Sequence, residues 1–473
     1  MRDPLDANDE QRHNLAYDAE VSESTQRAAG GHLTEAILDY ESKALASTAS
    51  GAYAAWKHPD FAWFSAGYAT ALIGGQIQMA AIAWEVYTIH RREMDLGWLG
   101  LVQAIPIMLL ALPAGHVADR FHRKNVVIIG QTISLLCSIW LAFLSVSINR
   151  GNLHFTWFYL PLFISSAAFT FNRAARHAML PSLVPKPIFA NAVTWNSSIF
   201  ELSQAIGPCF GALVMFIQLG KGAGLWMAYV LAAIGQAAYL FFLTRIKVDS
   251  RPAKRPINNV LANDKSEGIA SGLRFVFRHP IILGTISLDL FAVLLGGATY
   301  ILPALADKVL HVGPVEFNLL RAAPSVGAIL MAIIQVHLPP FRHAGRILLL
   351  AVAAFGLATI GVGLSRSLGL TLLMLFLTGA FDNVSVVVRH TLVQLLTPDQ
   401  MRGRVSAVNN VFIGASNELG GWESGLTAEW FGIIPSITCG GIGTMVVVAT
   451  IAVNCPAIRR FGSLHDAKPL PTT

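Results

Sequence analysis

Long apolar runs alternate with short polar connections along almost the whole chain. Hydropathy separates about twelve of them, at 60–88, 96–118, 125–148, 154–180, 190–218, 223–245, 280–304, 314–337, 346–365, 368–397, 404–431 and 433–456. Crossing a bilayer as a helix takes roughly 20 apolar residues, so each run is a candidate span. The runs are continuous and lack period-two alternation, which argues against an outer-membrane barrel. Backbone groups in lipid must be paired internally, so the pattern predicts an all-α polytopic bundle.

Three polar stretches punctuate the rhythm, at 1–58, 246–279 and 458–473. Residues 1–58 lack the basic start and early apolar core of a cleavable signal, and acids outnumber bases there. They read as a mostly disordered tail. The segment 246–279 is basic, and Asp264-x-x-Glu267 within it resembles a capping box. It would open a short amphipathic helix with Ile269, Leu273 and Val276 on one side, lying on the membrane face. The remaining blocks, 59–245 and 280–457, each hold six runs.

Charge orients this picture. Only 13% of residues are charged, about half the share in soluble domains. One set of loops holds Arg120, Arg123, Lys124, Lys186, the central segment, Arg342, Arg346, Arg402, Arg404, Arg459 and Arg460; the opposite set holds Arg91, Arg92, Arg150, Lys221, Lys308 and Arg366. Positive loops remain cytoplasmic, so both termini are expected there. The net charge of +6 is thereby a topology signal, and no nucleic-acid partner is expected. Cys137, Cys209, Cys439 and Cys455 lie in or beside apolar runs without a Cys/His cluster, so neither a disulfide nor a metal site is expected.

The two blocks repeat one another. A shift of 213 places Arg176-His177 on Arg389-His390, Leu183 on Leu396, Pro185 on Pro398, Asn196 on Asn409, Ser203 on Ser416 and Gly207 on Gly420. A shift of 218 places Leu101, Ala104 and Pro106 on Leu319, Ala322 and Pro324. Two parallel six-helix halves with a substrate site between them at mid-membrane is one known transporter architecture.

Between the second and third runs, 115–124 reads G-x-x-x-D-R-x-x-R-K, with Gly115, Asp119, Arg120, Arg123 and Lys124. This resembles the loop joining the second and third helices of the major facilitator superfamily. The resemblance implies a cytoplasmic charge network that latches the halves, which Arg176 would join. His122 departs from the family's usual glycine. In the fifth run, Gly207, Pro208 and Gly211 resemble the superfamily's antiporter motif, although Ser203 and Ala212 stand where glycine is typical. Gly207 and Gly211 leave a flat strip for close helix approach, and Pro208 permits a kink; an ordinary packing face would show the same residues. The stretch 381–425, with 181–185 and 191–196, resembles the enterobactin-exporter-like subfamily. That resemblance covers about 61–455 and implies a twelve-helix exporter of siderophores, drugs or metabolites in a bacterial plasma membrane. It further implies a proton gradient in place of any cofactor, and a monomer as the working unit.

Charges inside spans are costly and usually functional. At about 1.5 Å per residue, Asp289, Glu201, Asp382 and Glu418 lie near mid-membrane and are the proton-coupling candidates. Glu418 is equally placed for interhelical hydrogen bonding with Ser416 and Asn417. Gln76, Gln78, Asn196, Gln204, Asn383, Arg389 and Asn409 are candidates to line a substrate cavity. Arg389 and Arg176 are equally placed to cap helix ends, and Asn196 and Asn409 to pack symmetrically. No G-x-x-x-x-G-K-[ST] loop is present, which excludes a single-chain nucleotide-driven pump. Neither H-E-x-x-H nor G-x-S-x-G occurs, so a membrane enzyme is not expected. The reading is a secondary transporter exporting a small organic compound by proton-coupled alternating access, with a lysophospholipid flippase or a solute importer as alternatives.

Overall fold

The computed structural model describes residues 51–149, 155–219, 225–248, 264–337 and 343–462. Among these residues the regular structure is entirely helical. The first half comprises α1 (Pro59–His90), α2 (Glu93–Arg120), α3 (Arg123–Asn149), α4 (Tyr159–Met179), α5 (Phe189–Leu219) and α6 (Trp226–Arg245). The surface helix α7 (Asp264–Arg278) follows. The second half holds α8 (Pro280–Gly296), α9 (Pro314–His337), α10 (Ala344–Leu364), α11 (Leu368–Leu396), α12 (Asp399–Phe431) and α13 (Ile433–Asn454), then the short α14 (Pro456–Arg459).

Among the described residues, nine helices are long and apolar enough to cross a membrane by length and composition. The three other long helices, α1, α4 and α12, are more polar. They carry Gln76 and Gln78, Asn172 and Arg173, and Asn409 and Glu418, side chains that are buried or half-buried against protein. Such residues depress hydropathy without meeting lipid.

Both halves pack alike. In the first, α1 lies on α5 and α6, while α4 lies between α2 and α3; in the second, α11 lies on α9 and α10, and α8 on α12 and α13. The halves meet along two seams, α2 with α12 and α5 with α9. At the end away from 115–124 they share one hydrophobic core. It takes Ile77, Leu99, Phe158 and Tyr229 from the first half and Leu302, Phe317, Leu375 and Ile437 from the second. At the 115–124 end there are instead two cores. One is built around Phe64, Val127 and Leu243, the other around Phe275, Leu348 and Leu392. The molecule is closed at one end and parted at the other.

Glycines make the closure tight. A Cβ on Gly425 would stand 2.5 Å from Gly97 Cα, and one on Gly100 would stand 2.6 Å from the Glu418 carbonyl oxygen. Both obstacles are backbone, which cannot swing aside. Beyond the glycines, charges bridge the halves at the rim. Lys308 Nζ lies 2.6 Å from Glu93 Oε1, Arg92 Nη2 lies 3.2 Å from Glu429 Oε1, and Arg91 Nη1 lies 3.7 Å from Asp307 Oδ2. Tyr87 OH donates to the same Asp307 oxygen at 3.1 Å.

Two expectations change. Residues 51–58, assigned to the polar tail, are ordered against α5. Asn191 accepts from Ala55 N and donates to Ala52 O, both at 3.0 Å, and Trp195 Nε1 donates to Ala52 O at 2.8 Å. Tyr53 and Trp56 flank the Trp195 ring, and Ala54 and Ala55 are buried, so ring contacts and alanine burial at 53–56 outweigh the polarity of the surrounding tail. The rest of that tail, 1–50, lies outside the described residues, as do 463–473. The surface helix α7 is present, but Leu273 is exposed while Gly272, Phe275 and Val276 are buried. Gly272 packs on the backbone of Arg404 in α12. Val276 is thus buried as expected, Gly272 takes the place expected of Leu273 because α12 lies there, and the side chain of Ile269 lies outside the described residues.

Opening the glycine seam should release the closed end. Gly425→Val is expected to cost on the order of 1–3 kcal/mol in the closed state, as overpacking does. In a variant lacking the native cysteines and carrying Gln103→Cys, it should raise labelling by an impermeant thiol reagent applied from the closed side severalfold. Unchanged labelling would show that the seam is not what holds this end shut.

Candidate functional site

A polar floor lies where the parted cleft ends against the shared core. On α1 and α5, Gln76 Nε2 donates to Gln204 Oε1. From the second half, Arg321 Nη2 on α9 donates to Gln76 Oε1 at 3.2 Å. Glu418 on α12 accepts from Tyr300 OH, and Gln103 Nε2 on α2 approaches that hydroxyl at 3.4 Å. Arg321 lies within electrostatic range of both Tyr300 and Glu418. Five helices and the segment after α8 therefore converge, and the Gln76–Arg321 and Gln103–Tyr300 contacts join the two halves.

Local structure explains the placements. The helix α8 ends at Gly296, and short 3-10, α and π turns carry the chain through Leu305–Val309. That break turns Tyr300 toward α12, where Gly421 leaves room for its ring: a Cβ there would sit 2.5 Å from Tyr300 Cδ2. On α5, Gly207 packs against the Gln76 side chain, and a Cβ on Gly211 would lie 2.7 Å from Asn318 Oδ1 in the other half. Pro208 between them is buried. In this structure the antiporter-type residues are a close-packing strip that seats α5 on α1 and α9.

A second group lines the wall of the second half. Asp289 on α8 pairs with Arg389 on α11; both are buried. Asp382, two turns from Arg389, shares a small pocket with Asp289, Ser385, Val352 and Phe355. Glu201 on α5 is half-buried and lies within electrostatic range of Asp382. Asp289, Asp382 and Glu201 thus form one neighbourhood, while Glu418 belongs to the floor.

The remaining expected cavity residues divide. Gln78 accepts from Ser138 Oγ at 2.5 Å inside the first half, and Asn383 accepts from Gln335 Nε2 at 2.8 Å inside the second. Both are interhelical packing groups in this state. Asn409 is buried and its Oδ1 has no hydrogen-bond partner; Asn196 is half-buried.

The 115–124 loop sits at the parted end. Asp119 and Arg120 are exposed. Arg123 Nη1 donates to Ala178 O at 2.8 Å and Lys124 Nζ to Ile246 O at 2.7 Å, both within the first half. Arg176 stacks its guanidinium over Tyr68 at 4.0 Å, and among the described residues it makes no ion pair with Asp119. With the halves apart here, the bridging charges appear at the opposite rim, through Glu93, Asp307, Lys308 and Glu429.

The sequence places Arg91, Arg92 and Lys308 in the loops of that rim but not their partners Asp307, Glu429 and Glu93, and it does not point to Arg321, Tyr300 or Gln103. Arg321 carried a usable signal, being a charge within an apolar span flanked by the repeat residues Leu319 and Ala322. Tyr300 carried none, since its position depends on the break after Gly296. Among the described residues no group of three or more His, Cys, Asp or Glu side chains is placed to hold a metal ion.

This fold, with a polar site at the junction of two six-helix halves, is that of a major facilitator transporter. The chain belongs to the family described as transmembrane secretion effectors, whose family model matches residues 50–469. It is a multi-pass membrane transporter and not an enzyme. The chain is 23% identical over 380 residues to the staphyloferrin A transporter of Staphylococcus aureus, covering 79% of this chain and 91% of that protein. It is 26% identical over 364 residues to the enterobactin exporter EntS of Shigella boydii, covering 75% and 82%. With the multidrug efflux pump Tap of Mycolicibacterium fortuitum it shares 23% over 403 residues, covering 83% and 94%. Among solved structures, a POT family transporter in complex with 5-aminolevulinic acid superposes with TM-score 0.66 at 13% identity, covering 84% of this chain and 96% of that one. A D-xylose-proton symporter gives 0.64 at 14%, covering 87% and 98%.

The Arg321–Gln76 contact ties the two halves together at the floor. Arg321→Gln removes a charge-assisted bond, worth about 1.5–3 kcal/mol, and leaves Glu418 without its nearest cation. Transport is expected to fall about tenfold or more at unchanged membrane abundance, measured by immunoblot alongside efflux. Wild-type transport in this variant would remove the floor from the transport path.

Proposed function

We propose that the chain exports a small organic compound from the cytoplasm by proton-coupled alternating access, with all twelve long helices spanning the membrane. The observation that carries the reading is the floor at Gln76, Gln204, Arg321, Tyr300 and Glu418. It lies at the junction of two halves that are sealed on one side of it and parted on the other. The end bearing 115–124, Arg402 and Arg404 is cytoplasmic in this proposal, because positive loops are retained on that side. The structure is then open toward the cytoplasm, the state in which an exporter loads. The siderophore and drug exporters among the relatives support the direction and the class of cargo.

Two halves that rock about the floor would break the Glu93–Lys308, Arg92–Glu429 and Arg91–Asp307 pairs as the outer end opens. The charges at 115–124 would then meet the second half and latch the inner end. Coupling is assigned to the Asp289–Arg389 pair with Asp382 and Glu201 beside it. A proton on Asp289 cancels its charge, and a donor group of the cargo would use the same carboxylate, so proton and cargo draw on Asp289 and exclude one another. That competition is what exchange of one for the other requires, and it calls for no cofactor beyond the proton gradient. A monomer suffices for this cycle.

The test is efflux of a susceptibility-screened panel from cells lacking their own exporters, with and without a protonophore. Proton collapse should abolish efflux, and Asp289→Asn and Glu201→Gln should each lower it about tenfold or more, the scale of a lost charge-assisted contact. Efflux indifferent to the protonophore would sink coupling. Full activity in both variants would remove these two acids from it.

A further inference from the structure

The two halves match in backbone but not in charge. Tyr68 stands nine residues after Pro59 at the start of α1, and Asp289 stands nine residues after Pro280 at the start of α8. Arg176 and Arg389 are likewise repeat partners, on α4 and α11. In the second half Arg389 meets an acid, Asp289. In the first half the equivalent position offers Arg176 only the face of Tyr68, 4.0 Å from the guanidinium carbon.

Arg176 is 6% exposed, and its Nε has no hydrogen-bond partner. Arg173, one turn deeper, is close enough for the two guanidinium charges to repel. Among the described residues neither arginine forms an ion pair with a carboxylate. The last turn of α4 lends Arg176 some negative dipole, but that effect fades within a turn and serves Arg173 less. A buried charge without a counter-charge is one of the costliest arrangements in a protein. Arg173 also faces the other half, its Nη1 lying 4.0 Å from where a Cβ on Gly414 of α12 would stand. The uncompensated pair therefore borders the space between the halves, toward the parted end.

We propose that Arg173 and Arg176 form an anion subsite that takes a carboxylate of the transported organic compound, with Tyr68 as its apolar backing. A planar carboxylate can accept two parallel bonds from a guanidinium, and it would supply in the first half the charge that Asp289 supplies in the second. This rests on the reading of the chain as an exporter and names the charge class of its cargo. Loading an anionic group there balances the first half as the proton or Arg389 balances the second.

The test uses the purified full chain in nanodiscs of neutral phosphatidylcholine, titrated calorimetrically with citrate, with its neutral trimethyl ester and with inorganic phosphate. Citrate is expected to bind, more weakly as salt is raised, and the ester is not. Arg173→Gln and Arg176→Gln should each weaken citrate about tenfold or more, as expected for a bond to a charged group. Arg176→Lys should recover part of the affinity because it keeps the charge. Arg366→Gln, on the exposed turn between α10 and α11, should leave citrate binding unchanged. Absent citrate binding, affinity indifferent to both glutamine variants, ester binding as tight as citrate, or phosphate binding as tight as citrate would each overturn the assignment. Binding needs no transport, so its failure leaves protonophore-sensitive efflux standing, and failed coupling leaves the subsite standing.

Discussion

Everything in this fold depends on two six-helix halves being able to touch backbone to backbone at one end. At Gly97 and Gly425 the α2 and α12 chains approach so closely that Gly425 has no room for a side chain and one on Gly97 would press on the α12 backbone at 3.2 Å. Attraction between helices in lipid comes from close packing rather than from a hydrophobic effect, so small residues at the seam are what make it stick. The rim ion pairs then lie over a seam already formed. Lys308 is 41% exposed, and pairs this open contribute only about 1 kcal/mol or less each. Their value is in choosing partners across the halves and in being breakable.

The same seam positions the polar floor. Gly421 makes room for the Tyr300 ring, and Tyr300 in turn holds Glu418. Arg321 reaches from α9 to Gln76 because Gly211 lets α5 lie against Asn318. These half-buried polar groups pair with one another and tie the floor to the closure. A change at the seam is therefore felt at the floor.

Charge is distributed unevenly over an otherwise repeated scaffold. The second half keeps its buried arginine neutralised by Asp289, while the first half sets Arg176 on an aromatic ring beside Arg173. Duplication of a six-helix unit produces matched positions, and divergence at Tyr68 and Asp289 gives the matched arginines different chemistry.

Much of the architecture was legible in the chain itself. Apolar run length located the helices, the Arg-His repeat at 176 and 389 located the halves, and Asp289, Glu201, Asp382 and Glu418 were visible as charges out of place in lipid. Composition and period suffice for these because lipid penalises every exposed polar group in the same way wherever it occurs. Pairing, however, is a property of two positions far apart in sequence. Only the folded molecule decided that Asp289 meets Arg389 and Glu418 meets Tyr300, or that Gln78 and Asn383 are spent on packing. It also decided that bridging charges lie at the Glu93 and Lys308 rim, while Arg123 and Lys124 bond to carbonyls of Ala178 and Ile246. Helix spacing fixes depth in the membrane, but the direction a side chain faces and the neighbour it finds depend on crossing points such as Gly97 on Gly425, which one chain segment cannot encode alone.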